Sequence, residues 1–505
     1  MNVAYGLGAV VVVTIATLAI GTWGLRFSRT TSDFFVASRS VRPGLNAWAI
    51  SGEYLSGASF LGVAGLVLAY GGEMLWYPVG WTAGYLVLLV LVAAPLRRSG
   101  AYTLPDFAEA RLDSRAVRTL SSVLVVAIGW LYLMPQFRGA GVALRSVTGM
   151  PPWAGGAVVA AVVLANVLAG GMRSITFVQA FQYWLKLTAL LLPLAFLLLV
   201  WLHDGGTSPA SPGIVVGGDS GFDWADPLAV AGDHPLYTTY SLMVATFLGT
   251  MGLPHVVVRY YTNPDGRAAR QTTLVVLVLV GLFYVLPPVY GALGRLYAPD
   301  LVARHATDSV VLELPQRMIG GVGGDLLTAL LTAGAFAAFL ATSSGLTVAV
   351  AGVISQDVVS RRLEGVLAFR VSAALAVAVP LLLALLARDV PVATVVGLAF
   401  AMAAATFCPL LVLGIWWRGL TAAGAFSGLV VGGVLTGLAV VDRLVVGRDS
   451  GWFAALVAQP AAWAVPTTVL TMLAVSRLTK DRRPAHVGRF MVRLHTPEAV
   501  ELDRS

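Results

Sequence analysis

The sequence predicts an all-α integral membrane protein, on three observations: little charge, apolar runs that recur along the whole chain, and basic residues confined to the short segments between them. Of 505 residues, 58% are hydrophobic and only 11% charged, with a mean hydropathy of +0.82; an ordinary soluble domain carries about 25% charged residues. Too little charge is left to coat a water-exposed surface, so lipid must be the solvent for much of the chain. Apolar runs of roughly 18 residues or more are each long enough to cross a bilayer as a helix.

By that length criterion about thirteen spans are expected, near 3–25, 45–70, 74–95, 117–148, 151–169, 175–202, 236–258, 271–297, 321–357, 366–387, 391–415, 419–441 and 452–476. The fourth and ninth exceed the bilayer thickness and are expected to be tilted, broken or extended beyond it. Residues 1–476 are read as one transmembrane domain with a core near 45–415, followed by a basic tail, 477–505.

Orientation follows from Lys and Arg. With the N-terminus outside, the cytoplasmic segments hold Arg26, Arg29, Arg39 and Arg42, then Arg97, Arg98, Arg111, Arg115 and Arg118. Arg173, Arg259, Arg267, Arg270, Arg361, Arg362, Arg370, Arg418 and the tail follow, which is most of the 33 basic residues. The longest external loop, near 203–235, carries Asp204, Asp219, Asp223, Asp226 and Asp233 without Lys or Arg. Both signals place the N-terminus outside and the C-terminus in the cytoplasm, in a plasma (inner) membrane.

The net charge of +8 does not indicate nucleic acid, because the basic residues track topology and interleave with no aromatic or Gly-rich binding pattern. One cysteine, Cys408, excludes an intrachain disulfide and a Cys-based metal site. The apolar stretch from Val10 to Ile20 lacks a basic leader and precedes Arg26, so it reads as an uncleaved first helix. The histidines show no metal-ligand spacing, and no protein partner is indicated.

Two spans are interrupted where a spanning helix would keep its backbone paired. The second contains Ser51-Gly52-Glu53-Tyr54-Leu55-Ser56-Gly57-Ala58-Ser59, and the seventh Gly249-Thr250-Met251-Gly252-Leu253-Pro254-His255. Each opens a group of five spans, so the pattern is that of an inverted-repeat transporter with halves near 45–202 and 236–415. The alternative is two Gly-rich packing faces. Freed carbonyls at the first break could ligate a hard cation, with a partner in the ninth span, Ala338-Phe339-Leu340-Ala341-Thr342-Ser343-Ser344-Gly345. Uncharged hydroxyls suit sodium; they equally suit bonding back to their own helix.

At these residues the chain resembles the sodium:solute symporter family, particularly its cation/acetate symporter (acetate permease) branch. The resemblance is carried by Asp33-Phe34-Phe35-Val36-Ala37, by Gly52-Glu53-Tyr54-Leu55-Ser56-Gly57, by Gly170-Gly171-Met172-Arg173-Ser174 and by Gly249 to His255. Gly345-Leu346-Thr347 ahead of Ser355-Gln356-Asp357, and Trp417-Arg418-Gly419 with Gly424-Ala425, complete it. It implies a LeuT-like 5+5 inverted-repeat core, with one further N-terminal and two C-terminal helices, and cation-driven uptake of a small solute. It also implies a sodium site of the Gly52 and Leu55 carbonyls, the Ala338 carbonyl, and hydroxyls at Thr342 with Ser343 rotating in. The family's Ala-x-x-Ser-Ser/Thr pattern is here Ala338-x-x-Ala341-Thr342, one hydroxyl short, so a proton remains the alternative coupling ion.

Ionisable residues inside spans are functional candidates by default. Glu53 could strengthen the field at a cation site or carry a proton itself. Arg138, mid-span, can hold a carboxylate through two parallel hydrogen bonds. Lys186 could snorkel or pair. The structural alternative pairs Glu53 with Arg138 or Lys186. Ser59, Tyr132, Gln136 and Thr250 are neutral candidates for binding a carboxylate. The expected function is symport of sodium (or protons) with a short monocarboxylate such as acetate, propionate or pyruvate, without a cofactor. An amino acid or a sugar is the alternative solute. A membrane-embedded enzyme would need clustered acidic or histidine residues at a membrane face, which the sequence lacks, so the protein is read as no enzyme.

Overall fold

A computed structural model describes residues 3–24, 39–210, 224–227, 234–359, 363, 365–386, 391–447, 450–498 and 500, the side chains of 170, 365 and 366 excepted. Among these residues every regular element is helical. The Asp33–Ala37 motif, and Arg26, Arg29, Arg361 and Arg362 of the orientation argument, lie outside the described residues.

Local chemistry sets the helix ends. The helices used below are α1 (Val3–Gly24), α2 (Pro43–Tyr54), α3 (Val63–Tyr70), α4 (Trp76–Val87), α5 (Leu104–Leu112), α6 (Arg115–Thr148) and α7 (Pro152–His203). They continue as α8 (Pro235–Gly252), α9 (Pro254–Tyr260), α10 (Gly266–Tyr284), α11 (Leu286–Tyr297), α12 (Val310–Met318), α13 (Gly321–Asp357), α14 (Gly365–Leu386) and α15 (Val392–Trp416). The last are α16 (Ala422–Val441), α17 (Ala461–Leu478) and α18 (Val487–His495). Proline begins α2, α7, α8 and α9, where its missing N–H costs nothing. Thr103, Ser114, Asp265 and Thr421 cap α5, α6, α10 and α16 by accepting from backbone N–H groups. Gly171, at φ +57°, breaks α7 in two, which only a residue without Cβ does cheaply.

Among the described residues eleven helices are long and apolar enough to cross a membrane, or twelve if α8 and α9, bent by 43° at Leu253, form one span. The expected thirteen is not confirmed by this count, in which the span expected at 74–95 and the latter part of that expected at 45–70 fall within one helical run. The chain is helical without a gap from Ala58 to Arg98, through a tight turn at Gly71–Leu75, while α2 stands apart as a half-helix. Its 12 residues reach only about 18 Å at 1.5 Å each, short of the bilayer core.

α2 packs on α7, and α8 on α15; α13 packs on α7, and α6 on α15. These contacts interchange when the two five-span groups are exchanged, as a pseudo-two-fold relation requires. Two helices form the centre: α13 is buried along all of its most apolar window and α15 along 94% of it, against 22% for α1. Leu191, Leu199, Leu282 and Leu382 are exposed on the outer helices, where lipid would cover them.

Close contact between α8 and α15 depends on glycine. A Cβ on Gly249 or Gly252 would lie 2.4 Å from the carbonyl oxygen of Phe400 or Ala403, respectively. Gly249→Val should destabilise the protein by about 1–3 kcal/mol through overpacking, measured as a lower melting temperature of the detergent-purified chain. An unchanged melting temperature would contradict this packing.

Candidate functional site

The site is best built from one question: where do the backbone groups freed by the break after α2 go? α2 ends at Tyr54 and helix resumes at Ala58 in a wide π-type turn; the Ser51 and Ser56 carbonyls keep the N–H groups of Leu55 and Phe60, but those of Gly52, Glu53 and Leu55 lose their partners one turn onward. Side chains replace them. The Lys186 ammonium, on the second half of α7, donates to the carbonyl of Gly52 and, at 2.7 Å, to that of Leu55. Thr342 Oγ1 on α13 donates to the Glu53 carbonyl at 2.6 Å. The Gly57 N–H donates to Gln136 Oε1 on α6 at 3.0 Å. Three helices thus satisfy the break, which a buried backbone demands.

A buried ion pair stands beside it. Arg259 Nε on α9 donates to Glu53 Oε2 at 2.6 Å, with both side chains no more than 2% exposed. The same guanidinium donates to Thr176 Oγ1 at 2.9 Å and to Gln179 Oε1, and Gln179 Nε2 donates to the Ala341 carbonyl at 2.9 Å. The network joins both broken helices to α7 and α13. Gly345 is the small residue that admits it, because a Cβ there would sit 1.9 Å from Glu53 Oε1. Arg259, read above as a cytoplasmic loop cation, is instead fully buried, and the partner of Glu53 is Arg259 rather than Arg138 or Lys186. The signal was present: Arg259 interrupts the apolar run His255-Val256-Val257-Val258, and a buried Glu53 needs a cation.

The expected cation ligands converge on this region. Gly52 and Leu55 offer carbonyls, but both are held by Lys186. Thr342 is bonded to Glu53, Ser343 Oγ is buried without a hydrogen-bond partner, and Ala338 is fully buried in α13.

The solute candidates separate into two groups. Ser59 shares a 2.7 Å hydrogen bond with the Tyr284 hydroxyl, and Thr250 Oγ1 lies 3.0 Å from the Tyr54 hydroxyl. Gln136, besides receiving Gly57, donates to the Tyr132 carbonyl at 3.3 Å. Tyr132 packs on His255 and Phe400 with ring centroids 5.2 and 6.0 Å apart. Trp81 closes the cluster against Tyr284 and Phe400. Its Nε1 and both ring nitrogens of His255 are buried without a partner, so polar groups face an aromatic centre.

Arg138 lies elsewhere, in the wall of a cavity of about 1410 Å³ that it shares with Phe137, Arg145, Arg304, His305, Asp308, Glu313 and Arg317. Near its rim the Arg317 guanidinium holds the Asp300 carboxyl down at about 2. At the opposite end of α6, Arg118 bonds Asp106 at 2.9 Å, Glu109 at 2.6 Å and Asp357 at 2.7 Å, tying α13 to α5 and α6. Burial raises the Asp106 carboxyl above its usual range, against the opposing Arg118 charge.

Breaking a buried pair strands a charge, so Glu53→Leu or Arg259→Leu alone should each cost about 3–5 kcal/mol. The double variant should cost less than the sum, because neither charge is left alone. Thermal melting of the four proteins checks this; additive losses would mean that the two residues act independently.

The chain is 31% identical over 428 residues, 82% of each chain, to YwcA, an uncharacterized symporter of Bacillus subtilis (strain 168). Its fold is similar to that of a Na+-coupled sialic acid symporter in a substrate-bound outward-open state, with a TM-score of 0.71 at 14% identity over 94% of this chain and 97% of that one. It is also similar to Mhp1, a nucleobase-cation-symport-1 family transporter, with a TM-score of 0.56 at 13% identity over 92% of this chain and 99% of that one. These likenesses establish the LeuT-type transporter fold. A model of the sodium:solute symporter family matches residues 34–432, and with the broken helices and their shared buried site this places the chain in the sodium:solute symporter family.

Proposed function

We propose that the protein is a secondary active symporter that couples inward movement of a monovalent cation, sodium or a proton, to uptake of a short monocarboxylate such as acetate, propionate or pyruvate. The observation that favours an anionic solute is the cavity lined by Arg138 and Arg145, together with Asp308, with Arg304, paired to Asp300, and with Arg317, paired to Asp300 and Glu313. Guanidinium groups raise the local concentration of a carboxylate and can hold it through paired hydrogen bonds. In this reading the solute passes from this cavity, the vestibule, to the break and the aromatic centre, where Thr250, Ser59 and the buried Trp81 and His255 nitrogens complete recognition. Under the N-out orientation in a plasma (inner) membrane, the vestibule opens outside, and the Arg118 cluster closes the cytoplasmic end. Alternating access then exchanges the two closures around the central site. Cation and solute raise each other's affinity by the same factor, because linkage is reciprocal.

Labelled acetate uptake into proteoliposomes should rise with an inward sodium or proton gradient and vanish when both are dissipated. Uptake indifferent to both gradients would overturn the symport reading, and competition by propionate and pyruvate but not by amino acids or sugars would define the solute class. Arg138→Ala should weaken acetate uptake about tenfold or more, the usual cost of one charged hydrogen bond. An unchanged KM would remove Arg138 from the solute path. Arg118→Ala should loosen the cytoplasmic closure, read as faster maleimide labelling of a cysteine placed at Val353; equal labelling rates would show that Arg118 is no gate.

A further inference from the structure

The family implies a sodium ion at the break after α2, and the residues present do not fit one. A sodium ion needs a shell of oxygen atoms with lone pairs free to point at it. Here the Gly52 and Leu55 carbonyls both accept from the Lys186 ammonium. Thr342 Oγ1 donates to the Glu53 carbonyl and keeps its lone pairs, and Ser343 Oγ and Glu53 Oε1 are buried without hydrogen-bond partners, so oxygens surround the site but the place between the two carbonyls is taken. The position after Leu340, where the family pattern has a hydroxyl, is Ala341. Lys186 is fully buried, and its nitrogen lies where a metal bound to those two carbonyls would lie.

Charge argues the same way. The buried groups gathered here are Glu53, Arg259 and Lys186, one negative and two positive, and Glu53 is the charge that acts on Lys186. On the neighbouring helices α1 and α13, the ionisable residues within the described segments are Tyr5, Asp325 and Asp357, all toward helix ends. A sodium ion would add a second uncompensated positive charge to a dry cluster, at contact distance from an ammonium. The side chain and the ion are alternatives for one place.

We propose that the Lys186 ammonium is the resident cation of this site, so that the chain carries its cation covalently and binds no sodium ion between α2 and α13. Lys186 is then the residue that sets ion specificity here, and the break is held shut by the protein's own charge rather than by a solute ion. The inference deepens the symport reading by assigning the occupant of its cation site, but its test needs no transported solute.

The test is equilibrium binding of radioactive sodium to the purified full-length chain in detergent, with no carboxylate present. Wild-type protein should show no binding that Thr342→Ala removes, and its melting temperature should be the same in sodium chloride and choline chloride. Lys186→Ala should gain a saturable sodium site, lost again in the Lys186→Ala/Thr342→Ala double variant, and sodium should raise its melting temperature. Saturable sodium binding to the wild type that Thr342→Ala abolishes would overturn the proposal. Should Lys186→Ala fail to fold, the wild-type and Thr342→Ala pair still decides it. Failed acetate uptake would count against the solute assignment and leave this result standing.

Discussion

The structure depends on the interruption of one helix inside the membrane. Around Tyr54–Ala58 the carbonyls of Gly52, Glu53 and Leu55 and the Gly57 N–H give up helical hydrogen bonds, and no water in the hydrocarbon could replace them. Lys186, Thr342 and Gln136 make good the loss from α7, α13 and α6. Each of these helices is thereby held in register with α2, because moving any one would leave a buried polar group unpaired. A break that would be a defect in an isolated span becomes the joint where four helices meet.

The ion pair of Glu53 and Arg259 extends that joint to the second broken helix. Such a pair contributes little net stability relative to an apolar substitute, yet losing one member is costly. Its effect is positional: one guanidinium holds α9 against α2 and α7 through three acceptors. The glycines work in the same direction. Gly52 lies so close to the Gln179 backbone that a Cβ would fall 2.1 Å from its carbonyl, and Gly345 leaves the space that the Glu53 carboxylate fills. Small residues and charged side chains therefore meet at one place because close backbone approach and desolvated polar contacts need each other.

Much of the region was legible before any coordinates. Low charge and repeated apolar runs announce a membrane protein, and glycine and proline inside spans mark both broken helices. Glu53, Gln136 and Thr342 bond at the break or beside it, whereas Arg138 lines a separate cavity. Arg259 was misread because a loop cation and a buried one look alike in sequence; it follows the 43° bend at Leu253 and is fully buried. The number of spans is not settled by helix length alone, since the run from Ala58 to Arg98 is helical without a gap through a tight turn at Gly71–Leu75.

What the sequence determined by itself is class and architecture, because partition into lipid depends on summed hydrophobicity and helix breaks depend on local backbone chemistry. Those quantities are carried by neighbouring residues. Only the tertiary structure decided that Lys186 reaches the Gly52 and Leu55 carbonyls, more than 130 positions away, and that Glu53 takes its partner from the other half of the molecule. Pairing of buried charges depends on which helices touch and how they are rotated. No local pattern encodes that, and the identity of the cation at the break follows from it.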